Sequence, residues 1–126
     1  MPTDPEHLHK AEHNEDFYLS FDLNTTPYLD RVVSGVFYSA LHYIESYLAT
    51  QEKHSQNHAD RNANLRDDPN LGIDIYRKFN DLKNDSENGR YFMKSFTPGE
   101  IRQYIIPNLD GIKEYLQRYI PQIRLA

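Results

Sequence analysis

The chain has 126 residues, 38% hydrophobic and 26% charged, with 10 Tyr, 6 Phe and no Trp; that suits one domain over residues 1–126, its core spanning about 4–120 and filled largely by aromatics. There is no Cys, which excludes disulfides and thiolate chemistry, and the apolar runs are too short to span a membrane. The net charge of −5 argues against a duplex DNA-binding protein, whose affinity comes mostly from phosphate neutralisation, but leaves room for a local basic site among Arg61, Arg66, Arg77, Lys78, Lys83, Arg90 and Lys94.

Met1 to Glu6 is acidic and polar, unlike a secretory leader, and the chain is expected to be cytoplasmic. A first helix is expected from near Asp4, with Thr3 or Asp4 as N-cap, Pro5 in the first turn and Glu6 completing a capping box with Thr3. Leu8, Ala11, Glu15, Tyr18 and Leu19 mark one face, and the helix should end near Asp22. The second helix carries the strongest signal. Thr26 caps, Pro27 takes the first position, and Leu29, Val32, Val33, Val36, Phe37, Ala40, Leu41, Ile44, Tyr47 and Leu48 recur at helical spacing to about Ala49.

A loop from Gln51 to Asn57 precedes a short helix, His58 to about Asp67, capped by Asn57. The fourth helix is expected from about Leu71 to Glu87, with Ile75, Tyr76, Phe79 and Leu82 inward, Asn88-Gly89 as terminator and a connector from Arg90 to Phe96. Thr97-Pro98-Gly99-Glu100 is a capping box, and Ile101, Tyr104, Ile105, Leu109, Ile112, Leu116, Tyr119 and Ile120 define the last helix, which Pro107 either kinks or splits. No window alternates at period two. The expected fold is all-α, an antiparallel bundle of four to five helices.

On the second helix, His42 projects almost opposite the apolar face, with Arg31, Gly35, Tyr38 and Ser46 nearest it and Ser39 and Glu45 flanking. Read plainly, this is a solvated face. The small Gly35 and Ser39 also admit a close helix, which makes Gly35, Tyr38 and Ser39 candidates for a dimer face.

His58 shares a helical face with Arg61 and Asn62. A His moves protons near neutral pH, and an Arg holds a phosphate at two points and stabilises developing charge. Together they are the minimum for metal-free cleavage of RNA, in which the substrate's own hydroxyl attacks; the bland alternative is an ordinary surface helix start. Arg90-Tyr91 can hold a phosphate or stack on a base, or the Tyr can simply pack back on the bundle. Glu6 and His9 have di-metal bundle spacing, but no second Glu-x-x-His exists. The pairs His54/His58 and His9/His13 are expected to be exposed, and neither a metal site nor a cofactor is expected. There is no Gly-rich phosphate loop and no Gly-x-Ser-x-Gly.

The order of these residues resembles a known family. Ala11-Glu12-His13-Asn14-Glu15, the Val36 to Ala49 block with Phe37-Tyr38-Ser39-Ala40-Leu41-His42, His58-Ala59-Asp60-Arg61-Asn62, the Tyr76 to Leu82 stretch, Ser86 and Gly89-Arg90-Tyr91 resemble small standalone members of the HEPN superfamily over roughly residues 4 to 120. The resemblance implies a four- to five-helix bundle paired as a homodimer with a polar site at the seam, and roles in RNA cleavage, toxin–antitoxin systems and host defence. Ribonuclease members carry an Arg followed within a few residues by a His, and no Arg here has such a His; His58 instead precedes Arg61. The family's catalytic motif is therefore not carried over to this chain. The expected function is a HEPN-like protein acting on RNA; if it is catalytic, it is a metal-independent endoribonuclease of a toxin or defence type with an antitoxin partner, and His58 and Arg61 are candidates on chemical grounds. His58 and Arg61 would be catalytic, with Asn62, His42, Arg90 and Tyr91 binding substrate. The competing class is a non-catalytic dimeric module that binds a nucleotide or a protein.

Overall fold

The computed structural model describes residues 4–125. Helices α1 (Asp4–Leu19), α2 (Leu29–Thr50), α3 (His58–Arg66) and α4 (Ile73–Tyr91) are followed by a last helix in three continuous pieces. These are α5 (Pro98–Glu100), a π-helical turn (Ile101–Ile105) and α6 (Ile106–Leu116). No strand occurs among the described residues, and none of their helices is long and apolar enough to cross a membrane. The capping box expected from Thr3 lies outside the described residues.

α2 is the axis of the bundle and touches α1, α4 and α6. Its apolar stripe of Val33, Val36, Phe37, Ala40, Ile44 and Leu48 is fully buried, with the Phe37 ring tilted against Phe79 of α4, 5.7 Å between centres. α1 and α4 each run antiparallel to α2, whereas α6 runs parallel to it, with Tyr43 beside Lys113 and Tyr47 beside Tyr119. Asp4, Ala11 and Tyr18 of α1 meet Ser46, Ser39 and Gly35 of α2 in descending order, and Tyr47 and Asp30 of α2 meet Asp68 and Gly89 toward opposite ends of α4.

Five local expectations are corrected. Thr26 does not cap α2; its Oγ1 accepts the Tyr28 N–H at 3.1 Å, closing a turn ahead of the helix, and the first helical bonds run to the Tyr28 carbonyl. α4 does not stop at Asn88-Gly89. A Cβ on Gly89 would lie 2.9 Å from the Phe96 ring, so this glycine is the seat on which buried Phe96 rests. The helix runs on through Arg90 and Tyr91 and ends where Met93 takes a left-handed φ of 55° and the Lys94 N–H returns to the Asn88 carbonyl. At Pro107 the last helix neither stops nor restarts; it passes without a break from the π turn into α6. Lacking an N–H and crowding the carbonyl four residues back, Pro107 stands just after the π turn, in which the Ile106 N–H reaches Ile101. Tyr104, expected inward, is turned out there and is 66% exposed. α6 ends at Leu116, earlier than the expected Ile120, whose side chain is buried from a following turn. The caps at Asn57 and Thr97 are as expected, accepting from the N–H groups of Asp60 and Glu100 at 2.9 and 3.1 Å.

The face of α2 expected at a dimer seam is largely covered by α1 of the same chain. The Ser39 hydroxyl donates to the Ala11 carbonyl at 3.0 Å, and Gly35 sits against Tyr18 and Phe17. A Cβ at Gly35 would meet the Tyr18 Cβ at 2.9 Å and Phe17 Cδ1 at 3.3 Å, so Gly35→Leu should force α1 off and cost about 3 kcal/mol. Urea unfolding reads this, with exposed Gly99→Ala as a control expected to stay within about 0.5 kcal/mol. Equal stability of the two variants would refute the close α1–α2 approach.

Candidate site at the start of α3

The Asn57 cap fixes the first turn of α3 and sends His58 and Arg61 toward α2. Arg61 Nε donates to Glu45 Oε1 at 2.6 Å, and Arg61 Nη1 donates to His58 Nδ1 at 2.7 Å. Glu45 is 3% exposed, and the Arg61 side chain keeps 11% of its surface. The order Glu45–Arg61–His58 is thus a chain of charge-assisted bonds from the bundle interior to the exposed His58.

This chain sets the state of His58. Nδ1 accepts a hydrogen bond, so the neutral ring carries its proton on Nε2. Burial first, then the cations Arg61 and Lys83, lower its pKa from the ordinary 6.5; Arg90 adds to this and Glu87 opposes it. The same charges show that Arg61, Lys83 and Arg90 gather on one edge between α3 and α4.

Arg90, one helical turn past Ser86, donates to the Tyr38 hydroxyl at 2.8 Å and lies over the rings of Tyr38 and Tyr91, 5.5 and 5.0 Å from their centres. Tyr38 of the expected dimer face therefore belongs to this edge. Tyr91, Phe92 and Met93 beyond Arg90 are 68%, 73% and 88% exposed, a run of bare apolar side chains beside a guanidinium. Lys83 pairs with Glu87 at 3.9 Å.

The expected site is thus gathered in part. His58 and Arg61 touch, Arg90 and Tyr91 lie on the same edge with Tyr38, and half-buried Asn62 stands outside the bonded chain. His42 faces α1 and bonds to His7 instead. Glu45 is the member that sequence reading missed. It was visible only as a flank of His42, and its partner lies 16 residues away on a helix of unknown placement. Exposed Phe92 was missed because the segment was expected to be a connector. No group of three or more metal-ligating side chains is assembled among the described residues.

Comparison with protein-family models, with curated proteins and with solved structures finds no match for this chain.

Proposed function

We propose that this protein is a HEPN-like module that acts on RNA by binding single strands along the α3–α4 edge. The observation that carries the reading is the contact of Arg61 with His58 at 2.7 Å, with Lys83 and Arg90 also within electrostatic reach of His58 and Arg90 lying against exposed Tyr91, next to exposed Phe92. Cations that take phosphates, next to bare aromatic faces that take bases, are the two parts a single-strand site needs. The His58 Nε2–H is a donor for a phosphate oxygen at neutral pH. The homodimer and antitoxin belong to the same proposal, with any seam away from the covered Gly35 and Ser39.

A second reading, metal-independent cleavage, rests on the 2.7 Å contact of His58 with Arg61. The same contact works against it in the free protein. A general base needs a bare ring nitrogen facing substrate, and here Nδ1 is occupied and Nε2 is protonated. Cleavage requires Arg61 to leave Nδ1 for the phosphate, after which the ring is free to change tautomer. The geometry thus favours binding over catalysis.

Fluorescence anisotropy with short labelled U-rich and A-rich RNAs in EDTA tests this, with the products run on a denaturing gel. Tyr91→Ala should weaken binding about tenfold or more, in line with roughly 1–3 kcal/mol for a stacked base. Arg90→Ala should flatten the salt dependence by about one phosphate contact. Intact RNA throughout supports the binding module. Products lost in the His58→Ala, Arg61→Ala double variant establish the ribonuclease. No binding and no products refute both.

A further inference from the structure

We propose that His7 and His42 form a proton-sharing clasp that fastens the first turns of α1 to α2 and lets them go on acidification. The two Nδ1 atoms are 3.1 Å apart, while the ring centres are 5.3 Å apart, so the nitrogens lie nearly on the line joining the centres. Two imidazoles meeting head-on bond only if one brings an N–H and the other a lone pair. The contact therefore holds one Nδ1 proton and breaks when both rings are protonated, since two donors and two positive charges then face each other.

The surroundings decide which state is held. Burial is the largest influence on both rings and favours the neutral forms; it pushes His42 down to about 4 and lowers His7 from 6.5. Around His42, His7 and Lys10 of α1 and Arg61 of α3 add to this. Around His7, His54 of the α2–α3 loop and Arg61 act in the same sense, while Glu45 of α2 and Glu6 of α1 oppose it. A depression of about 250 Å³ lined by Glu6, His7, Lys10 and His42 gives solvent a path to the pair.

Among the described residues, apolar burial holds this end of α1 only lightly. Before Ala11 no described residue of the helix is buried, Leu8 is partly so, and the first turn is tied by Ser46 donating to the carbonyl and carboxylate of Asp4. From Ala11 onward the helix is secured by Ser39, by Gly35 and by the buried Glu15. Opening is thus confined to the first two turns.

The sign follows from linkage. A released His42 with a pKa near 6.5 binds protons more readily than the clasped ring at about 4. The closed state is therefore fully favoured above pH 6.5 and is lost progressively as pH falls toward 4. Treating His42 as a single site, the opening equilibrium should grow roughly a hundredfold by about pH 4.5.

Nitrogen-15 NMR of the imidazoles and native-state amide exchange test this on the whole chain. At pH 7.5 one of the two Nδ1 atoms should carry hydrogen and the other should not. Between pH 7 and 4.5 the protection of the amides of Leu8, His9 and Lys10, corrected for intrinsic exchange, should fall by one to two powers of ten while α2 stays protected. His42→Gln, which removes the titrating ring, should flatten that dependence. Independent titration of both rings near 6.5, or protection at residues 8–10 that ignores pH, overturns the proposal. Should the variant fail to fold, the wild-type titration decides alone. The readout does not involve RNA, so its outcome is separate from that of the binding reading.

Discussion

Replacing Lys113 by alanine is expected to lower the unfolding free energy by about 3–5 kcal/mol, the usual cost of leaving one member of a buried ion pair without its partner. Lys113 Nζ lies 2.7 Å from Glu15 Oε2, with side-chain exposures of 2% and 5%. The pair joins α6 to α1 across the bundle. The Tyr43 hydroxyl of α2 donates to the other Glu15 oxygen, and its pKa is raised by burial first and then by that bond. The Lys113 ammonium also lies 5.5 Å from the centre of the Tyr43 ring. Arg124, at 3.6 Å from Glu15, is partly solvated and bonds Asp16 at 2.7 Å, so it offsets little of the lost charge. With Lys113 gone, Glu15 is a buried carboxylate held by a neutral hydroxyl and by the partly solvated Arg124 guanidinium, which is shared with Asp16. The double variant Lys113→Met, Glu15→Met removes both charges and keeps the volume. It should recover most of the loss, because apolar replacement of a buried pair is often neutral or better. Urea unfolding of the wild type, the single variants Lys113→Met and Glu15→Met, and the double variant gives the coupling energy directly. A Lys113→Ala loss below about 1 kcal/mol would mean that water reaches Glu15 and the cluster is not sealed.

This cluster shows where sequence reading stopped. Glu15 was read as part of an inward face of α1, but nothing along the chain paired it with Lys113, 98 residues away. The helices themselves were legible because period and caps are local signals. Asn57 and Thr97 hydrogen-bond three residues ahead, and Pro107 announced a disturbance without revealing its form. Gly89 was misread for a tertiary reason. A glycine that ends a helix and one that seats a ring look alike until Phe96 is placed. The polar stripe of α2 was misread for the opposite reason. A covering helix is usually recognised by an apolar stripe, whereas α1 buries only Ala11, Glu15 and Tyr18 among its described residues and is held instead by close approach and polar bonds. In the candidate site, His58 and Arg61 were legible from helical spacing. The carboxylate that governs Arg61 was not, since Glu45 lies on another helix.

That carboxylate gives the second large effect, in which stability and binding should move in opposite directions. Glu45→Gln keeps an acceptor for Arg61 Nε, now 2.6 Å from Glu45 Oε1, but removes the negative charge. The loss should be about 2 kcal/mol, below the usual range for a broken buried pair, because the amide still accepts and Arg61 still bonds His58. For a domain of this size that is a fall of roughly 6–10 °C in Tm. The guanidinium, no longer neutralised, adds a positive charge to the edge that holds Lys83 and Arg90. Affinity for single-stranded RNA should rise several-fold, and its salt dependence should steepen by about 0.7 per phosphate gained. Glu87→Gln is the informative companion. Glu87 pairs with Lys83 at 3.9 Å and is itself 37% exposed, so its loss should leave stability within about 0.5 kcal/mol while also tightening RNA. Thermal unfolding and anisotropy at two salt concentrations read all four quantities. If Glu45→Gln lowers Tm and leaves RNA affinity unchanged, Arg61 serves only to clamp α3 to α2, and His58–Arg61 is struck from the binding site. If affinity rises with both variants, the negative charges that hold this edge together are also what restrain its binding.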